Sequence, residues 1–239
     1  MVGFLELPGW FGDELDPENQ FLIGGGDDSA MLIREASAGV QRYSARLNRD
    51  FNQFSCYDTQ DVNEYVKILL GDTPLEFSLP VIYIGAGLVA PNSTRPLVDA
   101  YELGTVPPPQ TVWYIGARSY NQMERDWARS HQRLLPGFEV PVDVALRTAL
   151  SELGGQPFHL MVNIDVVDPV WAPAVKYPVG LGLAPRELWD AIDALKDTPI
   201  ELLQICGIDH KHASPLDTAR LTAELARDIA LLAWGREGL

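Results

Sequence analysis

Four short apolar runs limit what this chain can fold into: Pro80-Val-Ile-Tyr-Ile-Gly85, Thr111-Val-Trp-Tyr-Ile-Gly116, Phe158-His-Leu-Met-Val-Asn163 and Glu201-Leu-Leu-Gln-Ile-Cys-Gly-Ile208. Each ends at a glycine or a polar turn, as strands buried on both faces do. Stretches with helical spacing separate or follow them. Leu146, Leu150 and Leu153 are closed by Gly154-Gly155, and Leu188, Ile192 and Leu195 follow Pro185. Leu221, Leu225, Ile229 and Leu232 follow Asp217, which is expected to cap the last helix. This alternation predicts an α/β fold, a three-layer α/β/α arrangement around a mostly parallel sheet. The length of 239 residues suits one layered unit, so residues 1–239 read as a single domain. Residues 7–30, rich in Gly, Pro, Asp and Asn, read as a long loop. Leu32–Gly39 reads as a short helix, residues 62–70 as another, Pro107-Pro-Pro109 as a loop, and Trp171–Leu183 as a Pro-rich loop.

In sheets of this kind, sites form at the C-terminal ends of strands. Two clusters fall there. The first is Asn163, Asp165 and Asp168. If the strand runs through residue 165, Asn163 and Asp165 point the same way and share one site. One carboxylate and one amide make a poor divalent-metal pair, because the amide brings no charge. The plainer account makes Asp168-Pro169 a turn and Asp165 a structural acid. The second cluster is Asp209, His210 and His212, residue types that suit zinc or manganese at a strand end but that also serve as ordinary loop residues. Gly85-Ala-Gly87 could cradle phosphate, but Leu-Val-Ala follows it and the full dinucleotide fingerprint is missing. No nucleophile elbow is present.

A net charge of −15 argues against nucleic acid and anionic membrane surfaces as partners, since both recruit Lys and Arg. It permits a cationic substrate; a solvated acidic surface is the plainer meaning. Cys56 and Cys206 form no CxxC pair and read as reduced thiols. Met1-Val-Gly-Phe-Leu-Glu has no basic opening region and no apolar run is long enough to span a bilayer, so a cytoplasmic protein is expected.

From Asn163 onward the chain resembles the ureohydrolase family, the arginases and agmatinases. The family pattern S-x-D-x-D-x-x-D-P, followed by a-P-g-x-g-x-P-x-x-G-G-L-x-x-R-E, is similar to Met161–Glu187, with the spacing kept through Pro169, Pro173, Pro178, Gly182 and Glu187. Gly207-Ile-Asp-His-Lys-His-Ala-Ser-Pro-Leu-Asp217 resembles its closing segment. Leu32-Ile-Arg-Glu-Ala-Ser37, Tyr101-Glu-Leu-Gly104 and Trp113-Tyr-Ile-Gly-Ala-Arg-Ser119 resemble upstream motifs. The resemblance implies an arginase-like fold, trimeric or hexameric assembly, and two manganese ions held through GGDH, DAHxD and DxD. Those ions would supply a bridging hydroxide that attacks a guanidinium carbon.

The ligands are mostly missing. DAHxD corresponds to Gly85-Ala-Gly-Leu-Val89 or, in another register, to Ser44-Ala-Arg-Leu-Asn48; both lack the ligands. GGDH has no clear counterpart: Gly25-Gly-Asp-Asp28 mimics it but precedes Ile33-Arg34-Glu35 as the family's opening turn would. The chain is shorter than typical members, and the loss is placed around the GGDH strand–helix unit. In DxD the first Asp is Asn163 and only Asp165 remains. The family's late, substrate-holding Glu falls on His212. The resemblance therefore implies a protein inactive as an amidinohydrolase, a structural or regulatory subunit forming homo-oligomers or hetero-oligomers with an active relative. The alternative is a repurposed enzyme for a cationic guanidine or amine, with Asp165 and His212 catalytic and Asn163, Asp168, Asp209 and His210 around them. No cofactor is expected; manganese or zinc enters only if a remnant site survives on Asp165, His210 and His212.

Overall fold

The computed structural model describes residues 20–41, 43–50, 55–58, 66–72, 79–88, 112–131 and 133–235. Its strands are β1 (Gln20–Gly24), β2 (Tyr43–Ser44), β3 (Arg49–Asp50), β4 (Ser55–Asp58), β5 (Val66–Leu70), β6 (Val81–Ile84), β7 (Val112–Ile115), β8 (Arg133–Leu135), β9 (Phe158–Asn163) and β10 (Ile200–Cys206). Its helices are α1 (Asp28–Ser37), α2 (Gln122–His131), α3 (Val142–Leu153), α4 (Pro185–Ile192) and α5 (Leu216–Ala233). Eight strands form one sheet in the order β4-β1-β5-β10-β9-β6-β7-β8, and every pairing in it is parallel. β2 and β3 form a separate antiparallel hairpin.

The apolar runs become strands because both their faces are covered. Along β6, Ile82 and Ile84 face one layer and Val81 and Tyr83 the other. On the first side α1, α3, α4 and α5 pack Ile33, Leu146, Leu188 and Ile229 against Ile68, Leu160 and Leu203. On the second side α2 brings Ala128 and Trp127 to Tyr83, Tyr114 and Met161. The three-layer α/β/α expectation holds. Gly154 ends α3 in the left-handed conformation, φ 60°, with its N–H on the Leu150 and Ser151 carbonyls.

Local expectations change in four places. The expected loop at 7–30 contains β1 and the start of α1; residues 7–19 lie outside the described residues. Phe21-Leu22-Ile23 is a strand core that the surrounding glycines and aspartates obscured. Within 62–70, where a helix was expected, Val66–Leu70 is a strand, inserted between β1 and β10. The strand at 158–165 stops at Asn163, whose Oδ1 accepts the Asp165 N–H at 3.1 Å and starts a 3₁₀ turn over Ile164–Val166. Asn163 and Asp165 therefore meet through a turn, not through the pleat. Asp217 does not cap α5: Pro215 precedes the helix and makes no side-chain cap, while Asp217 sits in the first turn. Pro107–Pro109 and Tyr101–Gly104 lie outside the described residues, and so does the side chain of Cys56.

No helix among the described residues is long and apolar enough to cross a membrane.

Candidate functional site

A cavity of about 420 Å³ opens at the C-terminal ends of the central strands. Asp72 follows β5, Gly87 and Leu88 follow β6, Ser119 and Tyr120 follow β7, Asn163 ends β9 with Asp165 in the turn after it, and Gly207 follows β10. α2 adds Glu124, and the loop before α4 adds Lys176, Tyr177 and Val179.

Asp165 is its most perturbed acid. The side chain is buried, and Oδ1 accepts the Ala86 N–H at 2.8 Å. Burial pushes its carboxyl up to about 7, and nearby Asp72 adds to the rise. The Ala86 bond and the Arg118 charge pull the other way. In the unfolded chain the same carboxyl titrates near its ordinary value of 3.8. Between these values the folded chain holds a proton that the unfolded chain has released. Asp165 therefore makes stability fall with rising pH, by about 1.4 kcal/mol per unit at the steepest, levelling off above 7. Asp165→Asn should abolish this contribution. The wild type-to-variant stability difference, measured in denaturant at pH 5 and at pH 8, should widen in the variant's favour at the higher pH. An unchanged difference would remove the assignment.

Arg118 fixes the wall beside it. Its guanidinium donates to four main-chain carbonyls: Asp165 at 2.8 Å, Val166 at 3.1 Å, Val179 at 2.7 Å and Gly180 at 3.1 Å. The end of β9 and the loop carrying Tyr177 and Val179 are thereby tied together. Glu124 enters through the start of α2, where Asn121 Oδ1 accepts the Glu124 N–H and Glu124 Oε2 accepts the Asn121 N–H. This reciprocal cap was readable in Asn121-Gln-Met-Glu124 as a helix start.

Asp72, like Glu124 and Lys176, is a site residue that sequence reasoning missed. Its Oδ1 accepts the Gly207 N–H at 3.1 Å, and Lys176 Nζ lies against its Oδ2. Asp27 supports it: Oδ2 takes the Asp72 N–H at 2.7 Å, and Oδ1 caps α1 on Ala30 N at 2.7 Å. Gly71 is required here, because its φ is +85° and a Cβ would stand 2.2 Å from Asp27 Oδ1. The signal was Leu70-Gly71-Asp72, an apolar run closed by a glycine and then an acid, as buried strands that reach a site are. Gly25–Asp28, by contrast, forms the turn into α1.

The two registers for DAHxD are also separated. Ser44–Asn48 belongs to the β2–β3 hairpin, whereas Gly85 to Leu88 leave β6 at the cavity. Beneath Gly85 lies Tyr83. A Cβ at Gly85 would stand 2.3 Å from the Tyr83 hydroxyl, which is buried beside the Asn163 amide without a hydrogen bond of regular geometry.

The other sequence candidates are elsewhere. Asp168 holds its loop, accepting the Val170 and Gly182 N–H groups at 3.0 Å each; these bonds keep its carboxyl below the usual range. Asp209 Oδ1 accepts the Lys211 N–H at 3.0 Å, His210 Nε2 lies 3.3 Å from Asp28 Oδ2, and His212 Nδ1 accepts the Ser214 N–H. None of the four lines the cavity, so only Asn163 and Asp165 of the six candidates meet there.

Manganese fits these residues poorly. Among the described residues no group of three or more His, Cys, Asp or Glu side chains could hold a metal ion. Each cavity carboxylate already accepts from protein donors, and Asp72 carries an ammonium where a dication would need bare oxygens.

An arginase family model matches residues 86–234. The agmatinase of Bacillus anthracis is 26% identical over 248 residues, covering 84% of this chain and 83% of that protein. Proclavaminate amidinohydrolase of Streptomyces clavuligerus is 31% identical over 128 residues, covering 51% of this chain and 39% of that protein. Among solved structures, formimidoylglutamase from Bacillus subtilis superposes with a TM-score of 0.74 at 17% identity, covering 96% of this chain and 94% of that one.

Proposed function

Because this chain belongs to the arginase family, we propose that it keeps the scaffold and cavity of the family without its manganese-dependent amidine hydrolysis, and serves as a structural or regulatory subunit. The observation that carries this reading is Tyr83 under Gly85. At the position where the family motif supplies the first ligand of DAHxD, this chain has no side chain, and the space is filled from below by a buried ring. Gly87 and Asn163 at two further ligand positions, and an ammonium on Asp72, point the same way. A bridging hydroxide needs two cations close by to acidify it. One perturbed carboxyl, Asp165, is no substitute.

The test is metal content by mass spectrometry on chelator-free protein, before and after manganese loading, with urea release from agmatine and arginine measured on the same samples. The expected result is well below one metal per chain and no urea above background. Two manganese per chain, or turnover that needs manganese, would overturn the reading. A subunit role further predicts that the native protein has the mass of a homo-oligomer or copurifies with an active relative; a strict monomer without a partner would remove that role.

A second reading has one observation behind it. Asp165, with its carboxyl near 7 at the edge of a cavity, has the proton affinity of a general base at neutral pH. In this reading the cavity carries metal-free chemistry on an amine-type substrate, with Asp165 as base. His212, outside the cavity, takes no part. Asp165→Asn should then abolish any turnover found.

A further inference from the structure

We infer that Lys176 is a built-in ligand of the cavity, its ammonium holding at Asp72 the place that a free primary alkylammonium would otherwise take. The inference rests on the reading that no divalent metal occupies the cavity. Its basis is that carboxylate and ammonium are positioned independently of each other. Asp72 is only 11% exposed and stays in place through bonds that do not involve Lys176: the Gly207 N–H on its Oδ1, and its own N–H on Asp27. Asp27 adds a second negative charge close by, which also raises the Lys176 pKa.

Lys176 arrives from a different part of the chain. Its N–H donates to the Gly207 carbonyl at 3.0 Å, the Asp209 N–H donates to the Ala174 carbonyl at 2.9 Å, and Val175 bridges Ile208. This short antiparallel contact aims the lysine stem from the cavity wall onto Asp72. Burial alone would pull the Lys176 pKa down; the hydrogen bond and charge of Asp72 outweigh it, so the ammonium is present at neutral pH.

A carboxylate fixed in a poorly solvated corner keeps its demand for a cation when the resident one is removed. Asp72, Lys176, Tyr177 and Gly207 all line the cavity, so cutting the stem back to alanine opens the cavity towards the Asp72 carboxylate. A linear primary ammonium restores the charge and the N–H donors that the lysine supplied. Lys176 is thus a specificity-determining residue: in the native protein, ligands meet the amide and aromatic walls of the cavity and not this carboxylate.

The test is thermal melting of the full chain as wild type, Lys176→Ala and the double variant Asp72→Asn/Lys176→Ala. Each is melted with methylammonium, with n-butylammonium, and with sodium chloride at equal ionic strength. Lys176→Ala should melt below wild type. Butylammonium at about ten times its Kd should raise its Tm by about 3–6 °C, and methylammonium should need more ligand. Wild type and the double variant should not move. Lys176→Ser provides the same vacancy should the alanine variant fail to fold. No shift in either single variant, or an equal shift in wild type or the double variant, overturns the inference. Stabilisation of wild type by manganese would instead remove the underlying reading; no manganese effect together with no alkylammonium rescue removes this inference alone.

Discussion

Gly85→Ala, a change of one methyl group, is expected to cost about 3 kcal/mol of stability, at the severe end of overpacking substitutions. The methyl would meet three atoms of one side chain: the Tyr83 hydroxyl oxygen at 2.3 Å and the ring carbons Cζ at 2.5 Å and Cε1 at 2.7 Å. The ring has little room to give. Tyr83 is 1% exposed, packs edge-on against Tyr114 with centroids 5.7 Å apart, and sits on a strand paired on both sides. Gly85 has no left-handed φ, so the cost is steric and not conformational.

That origin can be tested with a double-variant cycle. Tyr83→Ala alone should cost about 3–5 kcal/mol through the cavity it leaves. Combined with Gly85→Ala, the methyl has space, and the double variant should be more stable than the sum of the two losses allows by at least about 1 kcal/mol. Tyr83→Phe should relieve only part of the Gly85→Ala loss, because the two ring carbons stay. Strict additivity in urea unfolding would mean that something other than Tyr83 excludes a side chain at 85.

Arg118→Ala should cost about 2–3 kcal/mol, because water must replace a half-buried guanidinium at the carbonyls it serves. The four carbonyls that Arg118 serves lie on two segments, and a hydrogen bond from a charged donor contributes about 1.5–3 kcal/mol net. Lysine should recover little, since an ammonium on a flexible stem cannot reproduce a planar fork that reaches four acceptors. Removing the arginine also removes a charge that lowers the Asp165 carboxyl. The pH at which Asp165 titrates should therefore move up in the variant, an effect that a loss of packing alone would not produce. Denaturant unfolding and a carboxyl titration followed by NMR would show both; full stability in the alanine variant would remove the clamp.

The fold was legible where burial is two-sided. β6 and β7 carry uninterrupted apolar runs, β9 and β10 carry runs broken by single polar residues, and the strand–helix alternation points to the layer order. It was illegible where polar, Gly- and Asp-rich segments crowd the strand, as in β1 and β5. Residues 62–70 show why: spacing alone cannot separate a buried strand from a short helix. The site was half legible. Asn163 and Asp165 stand out as polar residues at the end of a buried strand. Asp72 and Lys176 do not, because each looks like a solvated loop charge until β5 is placed beside β10 and the loop before α4 is folded back on Gly207. The two histidines attracted attention by residue type, and the chain direction after β10 carries them away from the cavity.

Asp27 ties two separate parts of the fold into one unit. One carboxylate caps α1 through the Ala30 N–H and accepts the Asp72 N–H beyond β5, so the start of the helix and this stretch of the cavity wall keep or lose their order together.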